Sequence, residues 1–411
     1  MSSLGITPAA GVPYFGSSLF KASVLNLLKK ISDGQLVLTD GRDERKFGSG
    51  GISVSISIND KRAYSKVLLG GPIGAAEAYM LGYWSTDDLT GLIRIFLRNR
   101  KALDNFNTKL SFFKRPIYKL FHRMHRDTLS QSKENISAHY DLGNDFFQLF
   151  LDPSLTYSSG YFRDFKDTME EASREKVDRI CQKLELKPGD EVLEIGTGWG
   201  FFAIHAATHY GCHITTTTIS DEQYNHVVKV VREKSLEHRI TVLKKDYRLL
   251  KGQFGKIVSI EMIEAVGLEY LSTFFNACNQ LLKPGGSMLI QAITIAEERF
   301  ESAKNSVDFI QRYIFPGGAL PSVELLTSES RQANLSPFGV EDITAHYAET
   351  MLRWRLKFRE NYNEIKGLGC GDTFLRMWDY YLCYCEGGFI EKAIGCVHMQ
   401  FQKPEVGAKL T

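Results

Sequence analysis

A short apolar run followed by closely spaced glycines constrains this chain more than any other feature. Val192, Leu193 and Ile195 are typical of a buried strand, and Gly196-Thr197-Gly198-Trp199-Gly200 follows directly. Glycine permits a tight turn and lets a ligand touch the backbone, and a helix predicted over 201–210 would present free N–H groups. The GxGxG pattern lacks a third glycine at dinucleotide spacing, which favours S-adenosylmethionine over NAD. A plain strand–helix turn also explains the stretch taken alone.

Strand and helix patterns alternate after this glycine loop, as is typical of a parallel sheet with crossover connections. Strands are predicted at 213–219, 240–243, 256–261 and 287–295, and helices at 220–234 and 270–282. Ligands of such sheets bind beyond the carboxyl ends of the strands. That rule collects around one crevice the loop 196–200, Thr218, Asp246, Tyr247, Glu264 and Gln291.

The first hundred residues predict a small α+β unit with no catalytic cluster of its own. Helices are predicted at 18–31, 75–81 and 88–98, and strands at 35–38 and 52–58. Asn59-Asp60 would turn the chain, and 63–69 would then continue the strand pattern. We therefore predict three regions: 1–108, for lipid or membrane association or for dimerisation; 109–134, a basic amphipathic helix and linker; and 135–411, the catalytic domain.

Residues 109–126 combine an apolar helical stripe with lysines and arginines on the other side. Such a helix can lie on an anionic membrane surface. A linker helix that packs on the next domain and leaves its charges in water explains the pattern equally well.

Composition excludes several other classes of protein. Of 411 residues, 43% are apolar and 24% charged, with a net charge of +2, which argues against a dedicated nucleic-acid binder. No apolar run of about 18 residues predicts a membrane span, and the first residues lack the order of a signal peptide. The 7 cysteines are irregularly spaced without a zinc pattern, so we expect reduced thiols, a cytoplasmic protein and no metal.

Eight tracts occur in one order along the chain: HYDLGNDFFQLFLDP, TYSSGYF, EIGTGWG, TISDEQ, DYR, EMIEAVG, YIFPGG-LPS and HYAETMLRW. In this combination the chain resembles the family of cyclopropane-fatty-acyl-phospholipid synthases and mycolic acid cyclopropane synthases, over 135 to about 403 and more faintly over 48–88. The resemblance implies a class-I S-adenosylmethionine-dependent methyltransferase with a Rossmann-like, mostly parallel sheet. It also implies transfer of a methylene group to the cis double bond of unsaturated acyl chains in membrane phospholipids, with bicarbonate as the base.

The family resemblance also implies roles for individual residues. Those implied to bind the cofactor are Tyr157, Ser158, Gly196, Thr197, Gly198, Thr218, Ile219, Gln223, Asp246 and Tyr247. Here Thr218, Ile219 and Gln223 would hold the ribose, since the end of the second strand carries no acidic residue. Glu264, Tyr347 and the backbone of Ile293 would hold the bicarbonate.

Three positions depart from the best-known bacterial pattern. Ser159 stands where a cysteine often binds bicarbonate, Gln291 where a histidine often does, and Ala265 where histidine is frequent. This set resembles the branch with plant-type synthases and some actinobacterial acyl methyltransferases. A misplaced base would remove a different proton, so C-methylation giving methyl-branched or methylene products stays open. A non-catalytic lipid-binding homologue is a second alternative.

Other side chains in these tracts are candidates with simpler explanations. Cys385 matches a cysteine proposed as catalytic in the family, although a packed core thiol explains it as well. Aromatic faces could stabilise a sulfonium and a carbocation, and we expect about half of the following to line the site: Tyr157, Tyr161, Phe162, Tyr313, Phe315, Tyr347 and Trp354. The partners expected are phospholipid acyl chains and, transiently, the inner membrane surface, with a homodimer left open and no nucleic acid.

Overall fold

The computed structural model describes residues 17–103 and 143–405. Several predictions lie outside these residues, namely the basic helix at 109–126, the linker up to 134, the first part of the HYDLGNDFF tract and the domain boundaries at 108 and 134. Within the described ranges no helix is long and apolar enough to cross a membrane, and no group of three or more His, Cys, Asp or Glu side chains could hold a metal ion.

Ten strands are described. They are β1 (Asp33–Asp40), β2 (Asp43–Ile58), β3 (Trp84–Thr86), β4 (Glu191–Ile195), β5 (His213–Thr218), β6 (Ile240–Lys244), β7 (Phe254–Ile260), β8 (Leu282–Ile295), β9 (Ser336–Asp342) and β10 (Ile394–Gln402). The α-helices are α1 (Ser17–Leu28), α2 (Arg62–Met80), α3 (Leu89–Arg98), α4 (Asn144–Gln148), α5 (Met169–Lys183), α6 (Phe201–His205), α7 (Asp221–Glu233), α8 (Leu271–Leu281), α9 (Glu297–Lys304), α10 (Phe309–Tyr313), α11 (Val323–Gln332), α12 (Thr344–Glu360), α13 (Tyr362–Gly367) and α14 (Asp372–Ile390).

The larger sheet has seven strands in the order β6-β5-β4-β7-β8-β10-β9. Pairing is parallel from β6 through β8, and β10 runs antiparallel to both β8 and β9. Near-continuous apolar runs such as Val192-Leu193 are buried because helices cover both faces of a parallel sheet. The predicted α/β class with a mostly parallel sheet is confirmed.

The smaller sheet is antiparallel, in the order β1-β2-β3, and belongs to the predicted N-terminal α+β unit. The prediction that a strand continues through 63–69 is wrong, because these residues lie in α2. The Asp60 side chain accepts a hydrogen bond from the Arg62 backbone N–H at 2.8 Å where the helix begins. A short apolar run fits a strand or a buried helix equally well by periodicity, and packing against α1 decides between them here.

A continuous apolar core joins the N-terminal unit to the helices α12 and α14. Polar contacts support it: the Tyr79 hydroxyl donates to Asp379 at 2.9 Å and the Thr90 hydroxyl donates to Glu386 at 3.1 Å. Since α12 carries Tyr347 and α14 carries Cys385, the N-terminal unit supports the helices that bear candidate site residues.

The strand β7 ends one residue earlier than the sequence pattern predicts. Glu261 falls outside the strand and adopts φ of 47°, in the left-handed region. Successive side chains along a strand point to opposite faces of the sheet. Because the backbone leaves the strand before Glu261, the side chain of this residue lies beyond the strand end instead.

Candidate active site

A cavity of about 1810 Å³ opens at the carboxyl ends of β4, β5 and β7. It is lined by all ten residues implied to bind the cofactor, and also by Glu264, Ile293, Tyr347 and Cys385. Ser159 and Gln291 do not line it; both are fully buried behind Glu261, which does. One continuous cavity therefore has a nucleoside end, at the glycine loop, and an acidic end, at Glu261 and Glu264.

The glycine loop forms the nucleoside end through its backbone. The N–H groups of Gly196 and Thr197 both donate to the Thr217 carbonyl at 3.1 Å, which ties the loop to β5. Gly198 has φ of 50°, and a Cβ atom there would meet no atom within 4 Å, so its backbone faces open space. Thr197 Oγ1 is buried without a hydrogen-bond partner among the described residues. An open backbone and an unsatisfied hydroxyl fit a ligand such as S-adenosylmethionine.

The end of β5 provides polar groups where an acidic residue is absent. The Thr218 hydroxyl donates to Gln223 Oε1 at 2.8 Å, and Ser220 caps α7 by accepting from the Gln223 N–H at 3.3 Å. At the end of β6, Asp246 accepts hydrogen bonds from Arg248 Nε at 2.9 Å and Nη2 at 2.6 Å. The Gln223 amide N–H groups and the Asp246 carboxylate are thus held beside the cavity.

The tract around Tyr157 connects the two ends. Tyr157 shares a hydrogen bond of 2.8 Å with Tyr381, and Ser158 Oγ accepts one of 2.7 Å from Lys176 Nζ. Lys176 is almost fully buried, and burial lowers the pKa of its ammonium group to about 8. We did not predict Lys176 from sequence, although it occupies the buried face of α5 beside Ala172 and Ile180, where a lysine is unusual.

The acidic end is organised around Glu261, a residue that lies within the EMIEAVG tract but was not among our candidates. Its Oε1 accepts hydrogen bonds from the Ser159 N–H at 2.9 Å and Gln291 Nε2 at 2.7 Å, and its Oε2 accepts one from the Tyr347 hydroxyl at 2.7 Å. Burial raises the pKa of this carboxyl, while the donors and the charge of Lys176 oppose the shift. The rule on strand ends that selected Glu264 could also have selected Glu261.

Gln291 is oriented by a neighbour on the adjacent strand. His398 pairs with Gln291 in the β8–β10 ladder, and its Nε2 lies 2.9 Å from Gln291 Oε1. An amide oxygen only accepts, so Nε2 must carry the proton, and the amide N–H₂ group then points at Glu261. Burial lowers the pKa of His398 to about 4, which keeps the imidazole neutral.

Glu264 is the second buried carboxyl of this end. Its Oε1 accepts a hydrogen bond from the Ile293 N–H, and its Oε2 has no partner among the described residues. Burial, together with the charge of Glu261, raises the pKa of Glu264 to about 8. Two adjacent buried carboxyls ionise together with difficulty, so Glu264 is largely protonated near neutral pH.

The groups implied to hold bicarbonate do not fit that anion in this structure. Of its expected donors, the Tyr347 hydroxyl, the Gln291 amide and the backbone of Ser159 all donate to Glu261, while the Ile293 N–H donates to Glu264. The Ser159 hydroxyl donates to the Gly160 carbonyl at 2.9 Å. A bound bicarbonate would also add negative charge beside Glu261, while these donors in the described part of the chain already bind the two carboxyls.

Of the aromatic candidates, Tyr157, Phe315 and Tyr347 line the cavity. Tyr161, Phe162, Tyr313 and Trp354 are not among the lining residues, and three that we did not predict are, namely Tyr381, Tyr384 and Phe389 of α14. Cys385 lines the cavity too, and burial raises the pKa of its thiol, which favours the packed core thiol over a nucleophile.

Comparisons of this chain with a family model and with individual proteins point to the same family. The model of mycolic acid cyclopropane synthetases matches residues 127–399. Tuberculostearic acid methyltransferase UfaA1 of Mycobacterium tuberculosis is 38% identical over 78% of this chain and 76% of its own length. Cyclopropane-fatty-acyl-phospholipid synthase of Escherichia coli K12 is 34% identical over 86% of this chain and 89% of its own.

A solved structure agrees with these matches. Mycolic acid cyclopropane synthase CmaA1, complexed with SAH and CTAB, superposes with a TM-score of 0.62 at 31% identity. The match covers 66% of this chain and 98% of that one.

Proposed function

This chain belongs to the mycolic acid cyclopropane synthetase family, and from that premise we propose that it converts the cis double bonds of unsaturated acyl chains in membrane phospholipids into cyclopropanes, using S-adenosylmethionine. The observation that carries the proposal is the single cavity that joins an open glycine loop to a buried carboxylate through apolar walls. A small hydrophilic acceptor would not need such walls.

S-adenosylmethionine supplies an electrophilic methyl group when it is bound. The backbone of the loop at Gly196 and Gly198, the hydroxyl of Thr197 and the Thr218–Gln223 pair are the groups that would hold it. Tyr157 is fixed by its hydrogen bond to Tyr381 and by contact with Trp354, whose ring centroid is 5.3 Å away. Its aromatic face can attract a sulfonium.

The acyl chain would occupy the apolar part of the cavity. Its walls include Leu155, Ile310, Phe315, Tyr384 and Phe389. They exclude water from a weakly nucleophilic alkene and keep it in line with the methyl group. The Tyr347 and Phe389 rings stack with centroids 4.3 Å apart, which gives the cavity a rigid aromatic surface beside the acidic end. Such a surface and one carboxylate would both stabilise a carbocation on the chain.

Bicarbonate, which the family resemblance implies as the base, does not fit the donors of this chain, since they already bind Glu261 and Glu264. We therefore derive no step through it.

Expression in a host that lacks cyclopropane synthase tests the proposal, with fatty-acid analysis of the host lipids. The expected product is a cyclopropane fatty acid that keeps two deuteriums from methyl-deuterated cofactor. Variant Gly198→Val, which would close the glycine loop, serves as the control and should give no product. Absence of any modified fatty acid from the wild type would contradict the proposal.

C-methylation of the acyl chain without ring closure is the second candidate. It is favoured by the relative named tuberculostearic acid methyltransferase. A methyl-branched alkene, formed when the acyl chain rather than the new methyl group loses the proton, would keep three deuteriums and support this candidate instead. If no S-adenosylhomocysteine forms with any unsaturated phospholipid, the third alternative, a non-catalytic lipid-binding homologue, gains support.

The proposed substrate implies a protein that visits the inner face of the membrane. We propose peripheral association, to which the predicted basic helix at 109–126 would contribute, and a possible homodimer. Sedimentation with anionic and neutral vesicles tests the first, and binding that does not depend on anionic lipid would contradict the role of the basic helix. Size-exclusion chromatography with light scattering tests the second.

A further inference from the structure

We propose that the carboxylate of Glu261, part of the chain itself, accepts the proton released after methyl transfer, in place of bicarbonate. The inference deepens the proposed function and rests on it. It assigns a role to a residue that neither the sequence motifs nor the family resemblance singled out.

The hydrogen bonds around Glu261 are the first reason. Three donors from three separate segments converge on it: the Ser159 N–H at 2.9 Å, the Gln291 amide at 2.7 Å and the Tyr347 hydroxyl at 2.7 Å. They hold the carboxylate at the cavity wall in one orientation. A proton acceptor must sit within reach of the reacting atoms in a defined position, and this network provides one.

The backbone at Glu261 is the second reason. Its φ of 47° lies where a non-glycine residue is strained. Glycine would adopt this conformation freely, yet the chain places a long side chain there. A strained backbone of this kind persists only where the surrounding contacts are strong enough to hold the residue in place, and such residues are frequent at active sites. The three hydrogen bonds are the contacts that hold Glu261 here.

The charge of the acidic end is the third reason. Glu264 is buried beside Glu261 and is largely neutral near pH 7, since its pKa is about 8. The nearby Lys176 is buried and donates to Ser158. The three donors and the charge of Lys176 favour the ionised form of Glu261, and donors that bind Glu261 are not available to a second anion. A single carboxylate satisfies the need for a proton acceptor next to a cation.

The step balances with Glu261 as the acceptor. A carbon of the alkene forms a bond to the methyl carbon as the methyl–sulfur bond breaks, which leaves a cation on the other alkene carbon and neutral S-adenosylhomocysteine. An oxygen of Glu261 then takes one proton from the new methyl group. The electron pair of that C–H bond closes the ring onto the cationic carbon, and the proton on Glu261 returns to solvent once the product leaves.

The first test needs no variant. The purified full-length protein is assayed with unsaturated phosphatidylglycerol vesicles and S-adenosylmethionine in buffer freed of carbon dioxide, with and without added bicarbonate. We expect turnover to change by less than about two-fold, because the acceptor belongs to the protein. A fall of about tenfold or more on removal of bicarbonate would overturn the inference.

Two variants sharpen the test. Glu261→Gln keeps the shape but cannot accept the proton, and we expect it to lose about 10²–10⁴-fold in turnover, the usual contribution of a positioned base. Glu261→Gly relieves the strained backbone and frees the three donors, so bicarbonate or formate should restore its turnover at least about tenfold. Full activity of Glu261→Gln without bicarbonate would overturn the inference.

Glu194→Gln is the matched control. Glu194 is another buried carboxyl on the cavity wall, but it accepts from the Thr216 hydroxyl at 2.6 Å and shares none of the three donors. It should acquire no dependence on bicarbonate or formate; equal rescue of this variant would overturn the assignment to Glu261. Failure of the proposed function is a distinct result: the wild type would form no S-adenosylhomocysteine from unsaturated phospholipid with bicarbonate present or absent.

Discussion

The two ends of the cavity are built in opposite ways. At the nucleoside end the partners lie within one strand–helix–strand segment: Thr218 and Gln223 are 5 residues apart, and the backbone N–H of Gly196 donates to the Thr217 carbonyl on the neighbouring strand. At the acidic end Glu261 is held by side chains and backbone 30, 86 and 102 residues away. The first end depends on backbone conformation and on the pairing of two neighbouring strands, whereas the second exists only once segments much farther apart have packed together.

Because the two ends are built differently, we expect substitutions at each end to affect a different functional quantity. Substitutions at the nucleoside end should weaken cofactor affinity, and substitutions at the acidic end should slow turnover while leaving affinity intact. Four substitutions can break that separation.

The largest effect is expected for Gly198→Val. A β-branched residue at φ of 50° is strained, and its side chain would project into the cavity. We expect S-adenosylhomocysteine affinity, measured by calorimetric titration, to fall about 100-fold or more, because the side chain would occupy space that the ligand needs and block its approach to the backbone; two decades correspond to about 2.7 kcal/mol. Gly41→Val is the control, because Gly41 has φ of 65° and equally open surroundings, with no atom within 4 Å of where a Cβ would lie, but belongs to the β1–β2 turn. Equal loss of affinity in both would break the comparison.

Tyr347→Phe comes next. Loss of the hydroxyl that donates to Glu261 at 2.7 Å should lower turnover about 10- to 100-fold, the value of a hydrogen bond to a charged group. Cofactor affinity should stay within about two-fold. Tyr380→Phe provides the comparison, since Tyr380 is buried away from the cavity lining. A loss of affinity as large as the loss of turnover would show that the two ends are not separable.

A smaller effect is expected for Gln223→Leu. Removing the amide paired with Thr218 should lower cofactor affinity about tenfold, the upper value for a neutral hydrogen bond. Turnover at saturating cofactor should not change. Gln182→Leu, at an exposed position on α5, should alter neither quantity. If saturating cofactor does not restore turnover in Gln223→Leu, the nucleoside end has a role in chemistry.

Glu264→Gln should have the smallest effect on turnover, within a few-fold at pH 7, because the native carboxyl is already largely protonated there. Its folded pKa of about 8 lies above the ordinary glutamate value of 4.5. The native state therefore keeps a proton that the unfolded chain loses. The stability this contributes is full below about pH 4.5 and is lost as pH rises through about 8.

Denaturant unfolding of the wild type and Glu264→Gln at several pH values between about 5 and 8 measures this contribution. The difference in unfolding free energy should fall by up to about 1.4 kcal/mol per pH unit. A difference that stays constant would mean that Glu264 is ionised in the fold. A loss of turnover as large as that of Glu261→Gln would reassign the proton acceptor.

Local patterns predicted much of the fold. The glycine loop, the alternation of strands and helices and the capped helices follow from glycine spacing and apolar periodicity, which act over a few residues. The error at 63–69 has the same origin: a short apolar run suits a strand or a helix, and packing against α1 makes the choice.

Prediction of the acidic end was less complete. The resemblance pointed to Ser159, Gln291 and Tyr347, and the structure brings them together, but on Glu261 rather than around an open anion site. The sequence pattern placed residue 261 inside a strand, so Glu261 was not considered as a site residue. In the structure the strand ends at Ile260, and Glu261 lies beyond it. Lys176 was missed because helical periodicity does not show which buried groups its ammonium will face.

The amino-acid sequence by itself determined the family, the α/β class and the nucleoside end, since each depends on short-range spacing and backbone preference. Only the tertiary structure decided which carboxylate receives the converging donors, and that a second carboxyl, Glu264, is buried beside it. Those outcomes depend on burial and on distances between segments far apart in the chain, quantities that exist only after the core has packed.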